Sequence, residues 1–335
     1  MADSDPASQP STSVAAPQSS PNSGIWSQLE SWLGKRLGHL QGPLLVVLGA
    51  SLWATDALFR VPVTHRYSPL LIVTINHVYL LVPALFILRN QREALRLLSV
   101  KEWAALIFIS CFGSVLGTVA FTEAFVATSN YSVPVLIQKI QPCFAILLAR
   151  VLLRETVRPW FWLFAAVAVA GAYLLSFGFT PAWTSLKGQD LAAITYALLA
   201  AMIWGSCTVV SRLLLQNLSF TFVTAARFVL GAIFALALTS ASVLLHSDPN
   251  QLATPVWLDS WHFFAMAFIS GLIPILIYYR GLQSTSASVA SLCELAFPLV
   301  AIMLNWLYLD SALNAAQLLG AGLIVFAITG ISLRR

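Results

Sequence analysis

Ten apolar runs dominate this chain of 335 residues. Each is about 20 residues long, which is the length that an α-helix needs to cross the hydrocarbon core of a bilayer. Only 9% of the residues are charged, whereas soluble chains carry about a quarter. The sequence therefore predicts an all-α integral membrane protein. The ten predicted spans are 43–62, 68–88, 102–125, 131–151, 159–178, 189–211, 220–244, 260–283, 287–308 and 314–333.

The last third of the chain resembles a second copy of its middle. The stretches Phe125–Arg158 and Gly281–Asn314 each open with a polar turn and continue as an apolar helix with a helix-kinking proline at the same depth, Pro142 and Pro298. The first copy is rich in arginine and the second is not. Because short cytoplasmic loops keep Lys and Arg while the opposite side loses them, the halves are predicted to insert in opposite directions. We expect two inverted five-helix repeats, 43–178 and 189–333.

The basic residues also predict the orientation. With the N-terminus in the cytoplasm, twelve Lys and Arg residues fall on the cytoplasmic side and three, Arg60, Arg66 and Lys187, on the far side. We therefore expect both termini in the cytoplasm and a location in the inner (plasma) membrane. Span six is expected to end before Arg212. Topology and anionic lipid headgroups account for the net charge of +5, so no nucleic-acid partner is expected.

The N-terminal region precedes the spans and divides into two parts. Residues 1–24 are rich in Ser, Pro, Ala and Gln and are predicted to be a disordered cytoplasmic tail. Residues 25–41 carry apolar side chains at helical spacing on one side. This pattern favours an amphipathic helix on the headgroups, although it also fits a helix that extends span one or packs on the bundle.

Polar residues at membrane depth predict a cavity, because placing a charge in a bilayer core is costly. Aligning the two prolines sets an offset of 156 residues, which matches Gln138 on span four to Glu294 on span nine. Inverted repeats would bring these two spans together at mid-depth. A structural ion pair remains an alternative for Arg227 and Asp56, as does simple packing for Trp53 and Trp204. The predicted cavity residues are Lys139, Glu294, Gln138, Gln141, Trp53, Trp204, Asp56, Asn76, His77 and Arg227.

Two carboxyl groups at depth are candidates for proton coupling, Glu294 first and Asp56 second, because burial disfavours the charged form of a carboxyl group. The four cysteines all fall inside predicted spans without metal-ligand spacing, so neither a metal nor a cofactor is expected. The chain lacks HExxH, GxSxG, Walker and dinucleotide-binding motifs. An enzyme is therefore not expected.

Several motifs resemble those of the drug/metabolite transporter superfamily, in particular its EamA-type family of ten-span proteins. They are the runs Leu136–Glu155 and Ser291–Asp310, the pairs Trp53-Ala54 and Trp204-Gly205, and the glycine-rich tenth span Gly320–Gly330. One departure is visible, because Ser311 stands where a Glu is usual. The resemblance implies a basket-like bundle of two EamA-like repeats, in which spans one to four and six to nine line the cavity and spans five and ten are peripheral.

The resemblance also implies transport of a small polar metabolite such as an amino acid, without ATP and by efflux more often than uptake. Together with the buried carboxyls, it predicts a secondary transporter that works by alternating access with proton coupling. The expected partners are a small-molecule substrate and the lipid bilayer, and a homodimer is left open. The alternatives are a membrane scaffold or sensor with a vestigial cavity, and a lipid enzyme, for which no nucleophile is visible.

Overall fold

The computed structural model describes residues 40–128, 132–179, 191–246, 257–309 and 314–334, and every regular element in those ranges is a helix. Outside these ranges lie the predicted tail, nearly all of the predicted amphipathic helix and Lys187. Most of the loop between predicted spans seven and eight, residues 245–259, also lies outside them. Span one consists of Gln41–Trp53 and Asp56–Thr64, and span two is Pro69–Arg89. Span three consists of Val100–Phe108, Ile109–Leu116 and Gly117–Val126. Span four consists of Ser132–Ile137, Gln138–Ile140 and Gln141–Leu152, and span five is Pro159–Phe177. Span six is Leu191–Leu214 and span seven is Phe220–His246. Span eight consists of Trp257–Ala267, Phe268–Leu272 and Ile273–Gln283. Span nine consists of Ala287–Cys293 and Ala296–Leu309, and span ten is Ala315–Leu333.

The membrane class predicted from the sequence is confirmed. In the described ranges, nine helical spans are long and apolar enough to cross a membrane, and a tenth apolar helix, Pro159–Leu175, is shorter. A short helix, Arg92–Leu97, joins spans two and three. The opposite orientation of the two halves stays a prediction.

Local sequence signals explain where several spans begin. Ser68 accepts a hydrogen bond from the backbone of Leu71, and Pro69 follows at the first helical position. Ser99 with Glu102, and Asn314 with Gln317, form capping boxes at spans three and ten. These caps satisfy backbone N–H groups that a helix start leaves without partners.

The spans of one half pack mainly against those of the other. Span one contacts span eight, span three contacts span six, span two contacts span seven, and span five contacts span ten. The last pair approaches closely at Gly171 and Gly320, where a Cβ on Gly320 would lie 2.6 Å from the carbonyl oxygen of Gly171. Each of these spans thus packs against a span of the other half, as expected of two related repeats.

A carboxylate links the end of span four to the start of span nine. Glu155 accepts hydrogen bonds from the backbone N–H groups of Ala287 at 2.7 Å and Ser288 at 3.0 Å, and from the Ser288 hydroxyl at 2.6 Å. An anion is favoured there because a helix N-terminus carries partial positive charge and free N–H groups. The two halves are therefore tied together at this end of the bundle.

Three spans are interrupted midway, and two contain π-helical segments. Span one breaks at residues 54–55, span four passes through the 3-10 turn Gln138–Ile140, and span nine breaks at residues 294–295. The π-helical segments are Ile109–Leu116 in span three and Phe268–Leu272 in span eight. By contrast, span six is continuous from Leu191 to Leu214, so the expectation that it ends before Arg212 is wrong. The Arg212 side chain has a partner there, because its Nη1 donates to the Gln283 carbonyl at 2.7 Å.

Candidate functional site

A cavity of about 220 Å³ lies between the spans. Among the described residues, those that line it come from spans one to four and six to nine, and none comes from spans five or ten. This arrangement agrees with what the family resemblance implied. All ten residues selected from the sequence line this one cavity. Their part in binding a substrate stays a prediction.

The carboxylate of Glu294 is held in the interruption of span nine, just after the helix Ala287–Cys293. It accepts hydrogen bonds from side chains on three other spans: Gln141 Nε2, Thr208 Oγ1 at 3.2 Å, and the Tyr278 hydroxyl at 2.6 Å. All three donors are uncharged. They orient the carboxylate without neutralising it.

The guanidinium of Arg227 is held by hydroxyl groups from spans three and eight. Its Nε donates to Ser114 Oγ and its Nη1 donates to the Tyr279 hydroxyl, both at 2.6 Å. The Tyr279 hydroxyl and Ser211 Oγ lie 2.8 Å apart. Because the tyrosine oxygen accepts from Arg227, its own proton is available to Ser211. Span six thus supports this second charged group as well.

Asp56 forms an ion pair with Arg60, one helical turn along span one. Arg60 Nε lies 2.5 Å from Asp56 Oδ2, and Arg60 Nη2 donates to Asp56 Oδ1 at 3.0 Å. Ser270 also donates to Asp56 Oδ1 at 3.0 Å, and Arg60 donates to Thr122 Oγ1 at 3.2 Å. For Arg60, the assignment to the far side of the membrane stays a prediction. Its side chain is 4% exposed and it lines the cavity.

The two π-helical segments present equivalent serines to these charged groups. Ser114 in span three binds Arg227, and Ser270 in span eight binds Asp56. Their numbers differ by 156, the offset that aligns the two prolines. A π-helical segment shifts the side chains that follow it around the helix and is frequent at functional sites. Here it brings a hydroxyl to the cavity in each half.

Span two contributes acceptors that have no partner in the described part of the chain. His77 Nδ1 lies 2.8 Å from the Val73 carbonyl. Because a carbonyl oxygen only accepts, Nδ1 carries the proton, and Nε2 is the acceptor of the neutral ring. His77 Nε2 and Asn76 Oδ1 are both buried without a hydrogen-bond partner there. The ring fits because Gly231 faces it, where a Cβ would lie 3.0 Å from Nε2.

Each tryptophan that opens a half packs on an aromatic ring of the other half. Trp53 lies 4.8 Å from Tyr278 and Trp204 lies 5.1 Å from Phe121, measured between ring centroids. The Trp204 indole also donates to the Gly113 carbonyl at 2.9 Å. Both pairs border the cavity and give it aromatic walls.

The 3-10 turn of span four brings Gln138 and Lys139 to the cavity, and Pro142 lies in the first turn of the helix that follows. Pro298 has a similar place near the start of Ala296–Leu309. Of the residues described, no three or more of His, Cys, Asp and Glu are grouped so that they could hold a metal ion.

Sequence reasoning missed most of the hydroxyl groups that hold the charges. Serine, threonine and tyrosine inside apolar spans are also common packing residues, so they carry no strong signal alone. The offset of 156 could have found Ser114 and Ser270 as a pair. The missed residues are Arg60, Ser114, Thr208, Ser211, Ser270, Tyr278 and Tyr279.

An all-α membrane protein in which eight of ten spans surround one largely apolar cavity that also holds charged side chains belongs to the class of small-molecule transporters. More particularly, the chain belongs to the EamA-like transporter family, which matches residues 40–177 and again residues 191–333. The family membership inferred from the motifs is confirmed.

Two relatives are informative to different degrees. The riboflavin transporter ImpX of Fusobacterium nucleatum subsp. nucleatum is 30% identical over 299 residues, which cover 88% of this chain and 98% of ImpX. A solved crystal structure aligns with 86% of this chain and 96% of its own, with a TM-score of 0.66 and 19% identity. At that identity the likeness bears on the fold alone.

Proposed function

We propose that this chain is a secondary transporter that moves riboflavin, or a closely related flavin, across the cytoplasmic membrane by alternating access. The observation that carries this proposal is the cavity enclosed by spans one to four and six to nine. Riboflavin joins a planar heteroaromatic ring to a hydroxylated chain. The cavity offers aromatic walls at Trp53 and Trp204 together with hydrogen-bond donors and acceptors. The name of ImpX supports the flavin as substrate.

A second candidate substrate is an amino-acid-like zwitterion. Arg227 and Glu294 carry opposite charges, line the same cavity, and are held by neutral side chains. A carboxylate could approach the first and an amine the second. This is the substrate class that the sequence analysis expected.

For coupling we propose that Glu294 carries the proton rather than Asp56. Both oxygens of Asp56 are engaged by Arg60, so a proton arriving there would leave a buried guanidinium uncompensated. Glu294 has only uncharged donors around it. It can therefore gain a proton without breaking an ion pair.

The proposal includes cytoplasmic termini, which the distribution of Lys and Arg supports, and a place in the plasma membrane. Export is the direction that the family resemblance favours. Uptake by a relative of this kind would need only the reverse driving gradient, since alternating access itself has no fixed direction.

The test is flux in proteoliposomes that contain the purified protein. Riboflavin fluorescence, measured on each side of the bilayer, should show saturable riboflavin transport when a proton gradient is imposed in either direction. Empty liposomes provide the background. An Arg280→Gln variant is a suitable control, because this exposed arginine does not line the cavity. Flux of amino acids but not riboflavin would favour the second candidate. Absence of flux for both substrate classes would favour the scaffold or sensor alternative.

A further inference from the structure

Arg227 is a cation inside an apolar bundle, and no carboxylate of the described residues forms an ion pair with it. The ion pairs among the described residues are Asp56 with Arg60, and Asp259 with Arg66 and His262. Glu294 is held by Gln141, Thr208 and Tyr278. Within the described part of the chain, Arg227 donates to two neutral acceptors, Ser114 and Tyr279.

The surroundings of this guanidinium form a built site rather than a chance gap. The π-helical segment Ile109–Leu116 brings Ser114 to Nε, and Ser211 supports the Tyr279 hydroxyl that binds Nη1. Gly113 leaves room for the third nitrogen, because a Cβ there would lie 3.1 Å from Nη2. Two nitrogens of the guanidinium are thus fixed by hydrogen bonds, and the group lines the cavity.

The third nitrogen lacks a hydrogen-bond acceptor within the described ranges, since Nε and Nη1 make the hydrogen bonds of this side chain. A guanidinium is planar and has five N–H donors, so its Nη1–Nη2 edge matches a planar group with two acceptor atoms. An unpaired charge taken out of water favours such a partner strongly. Water alone would meet this need only while the cavity is open.

We propose that Arg227 forms a substrate-binding subsite, in which its guanidinium donates hydrogen bonds to one end of the substrate. The group that it binds is planar and has two adjacent hydrogen-bond acceptors. The N1 and C2-carbonyl edge of a flavin ring, its N5 and C4-carbonyl edge, and the carboxylate of an amino acid share this chemistry. The inference rests on the proposed function, because it assumes that the substrate enters this cavity. It makes Arg227 a specificity-determining residue rather than a structural lock.

Ligand binding to the purified protein in detergent tests the subsite directly. Riboflavin and lumiflavin, which keeps the same ring with a methyl group in place of the hydroxylated chain, are titrated by fluorescence quenching. A free amino acid panel and the matching amino acid amides are titrated by thermal shift. The proteins compared are the parent, Arg227→Gln, Arg227→Lys and the control Arg280→Gln.

In the parent, riboflavin and lumiflavin should both bind, and Arg227→Gln should weaken both by about 10- to 100-fold, the range for losing a charge-assisted hydrogen bond. Arg227→Lys should fall between, because it keeps the charge and loses the planar fork. Arg280→Gln should bind like the parent. If the parent binds amino acids instead, their amides should bind weakly to it, and Arg227→Gln should no longer distinguish acid from amide. That result supports the subsite and overturns the flavin as substrate.

If Arg227→Gln binds whichever ligand the parent binds with unchanged affinity, the subsite is overturned while the proposed function stands. A parent that binds neither class overturns both. Should Arg227→Gln fail to fold, Ser114→Ala and Tyr279→Phe each release one nitrogen of the guanidinium and leave its charge in place. Loss of affinity for the same ligand in both supports the subsite, and unchanged affinity in both contradicts it.

Discussion

Tyr278 and Tyr279 are neighbours in the chain, and their hydroxyl groups serve opposite charges. Tyr278 donates to the Glu294 carboxylate and Tyr279 accepts from the Arg227 guanidinium, each at 2.6 Å. Their ring centroids lie 5.9 Å apart. Two consecutive residues of span eight therefore separate the acidic and the basic side of the cavity.

Removing each hydroxyl in turn should have unequal effects on stability. Tyr278→Phe leaves Glu294 with two other donors, so we expect a loss of about 1 kcal/mol in unfolding free energy. Tyr279→Phe leaves a charged donor without its acceptor and should cost about 2–3 kcal/mol. Denaturant unfolding in detergent measures both. A larger loss for Tyr278→Phe than for Tyr279→Phe would contradict this account of the two sites.

The ion pair in span one should behave as a unit. Asp56→Asn leaves the Arg60 guanidinium, which is 4% exposed, without its carboxylate, and we expect a loss of about 3–5 kcal/mol. The double variant Asp56→Asn with Arg60→Met should recover most of it. A double-mutant cycle on unfolding free energies measures the coupling. Additive losses would show that the two residues do not depend on each other.

Glu294→Gln should separate exchange from driven transport. The amide keeps the size of the side chain and cannot take up a proton, so proton-driven accumulation should disappear while substrate exchange across the liposome membrane continues. Glu123→Gln is the matched control, because this carboxylate also lies within a span and does not line the cavity. Full accumulation by Glu294→Gln would remove this residue from the coupling mechanism.

Glu155→Ala should loosen the end of the bundle where span four meets span nine. Losing this cap should cost about 1–2 kcal/mol and expose the start of span nine. In a cysteine-free background, a cysteine at Ser291, which is buried in the parent, should then react faster with a membrane-impermeant thiol reagent. Glu102→Ala removes an exposed cap elsewhere and should leave this rate unchanged. Equal rates in parent and Glu155→Ala would show that the cap does not restrain this end.

The predicted topology can be checked independently of transport. In the same background, cysteines at Ser8 and Asn250 should label from opposite sides of the membrane, the first from the cytoplasm. Labelling of both from one side would rule out ten spans with inverted halves.

The sequence located the cavity through its charges but not through the groups that hold them. Glu294 and Arg227 stand out because charge is costly in an apolar span. Tyr279 and Thr208 do not, since their types are also usual in packing. The π-helical segments that aim Ser114 and Ser270 depend on tertiary contacts rather than on a local pattern. Arg60 was not selected as a cavity residue, because a side chain near a span end can equally reach the loop or fold back on Asp56.

Span six is a single unbroken helix, and it supplies a hydroxyl group to each charged site from positions three residues apart. Thr208 donates to the Glu294 carboxylate, and Ser211 Oγ lies 2.8 Å from the Tyr279 hydroxyl that accepts from Arg227. A translation or rotation of this one helix must therefore change the contacts of Glu294 and of Arg227 at the same time. A proton arriving at Glu294 and an acceptor arriving at Arg227 would thus act on the same length of backbone. In a transporter, such a shared helix would disfavour uncoupled transport of the proton or of the substrate, because the conformational change would depend on the occupancy of both sites.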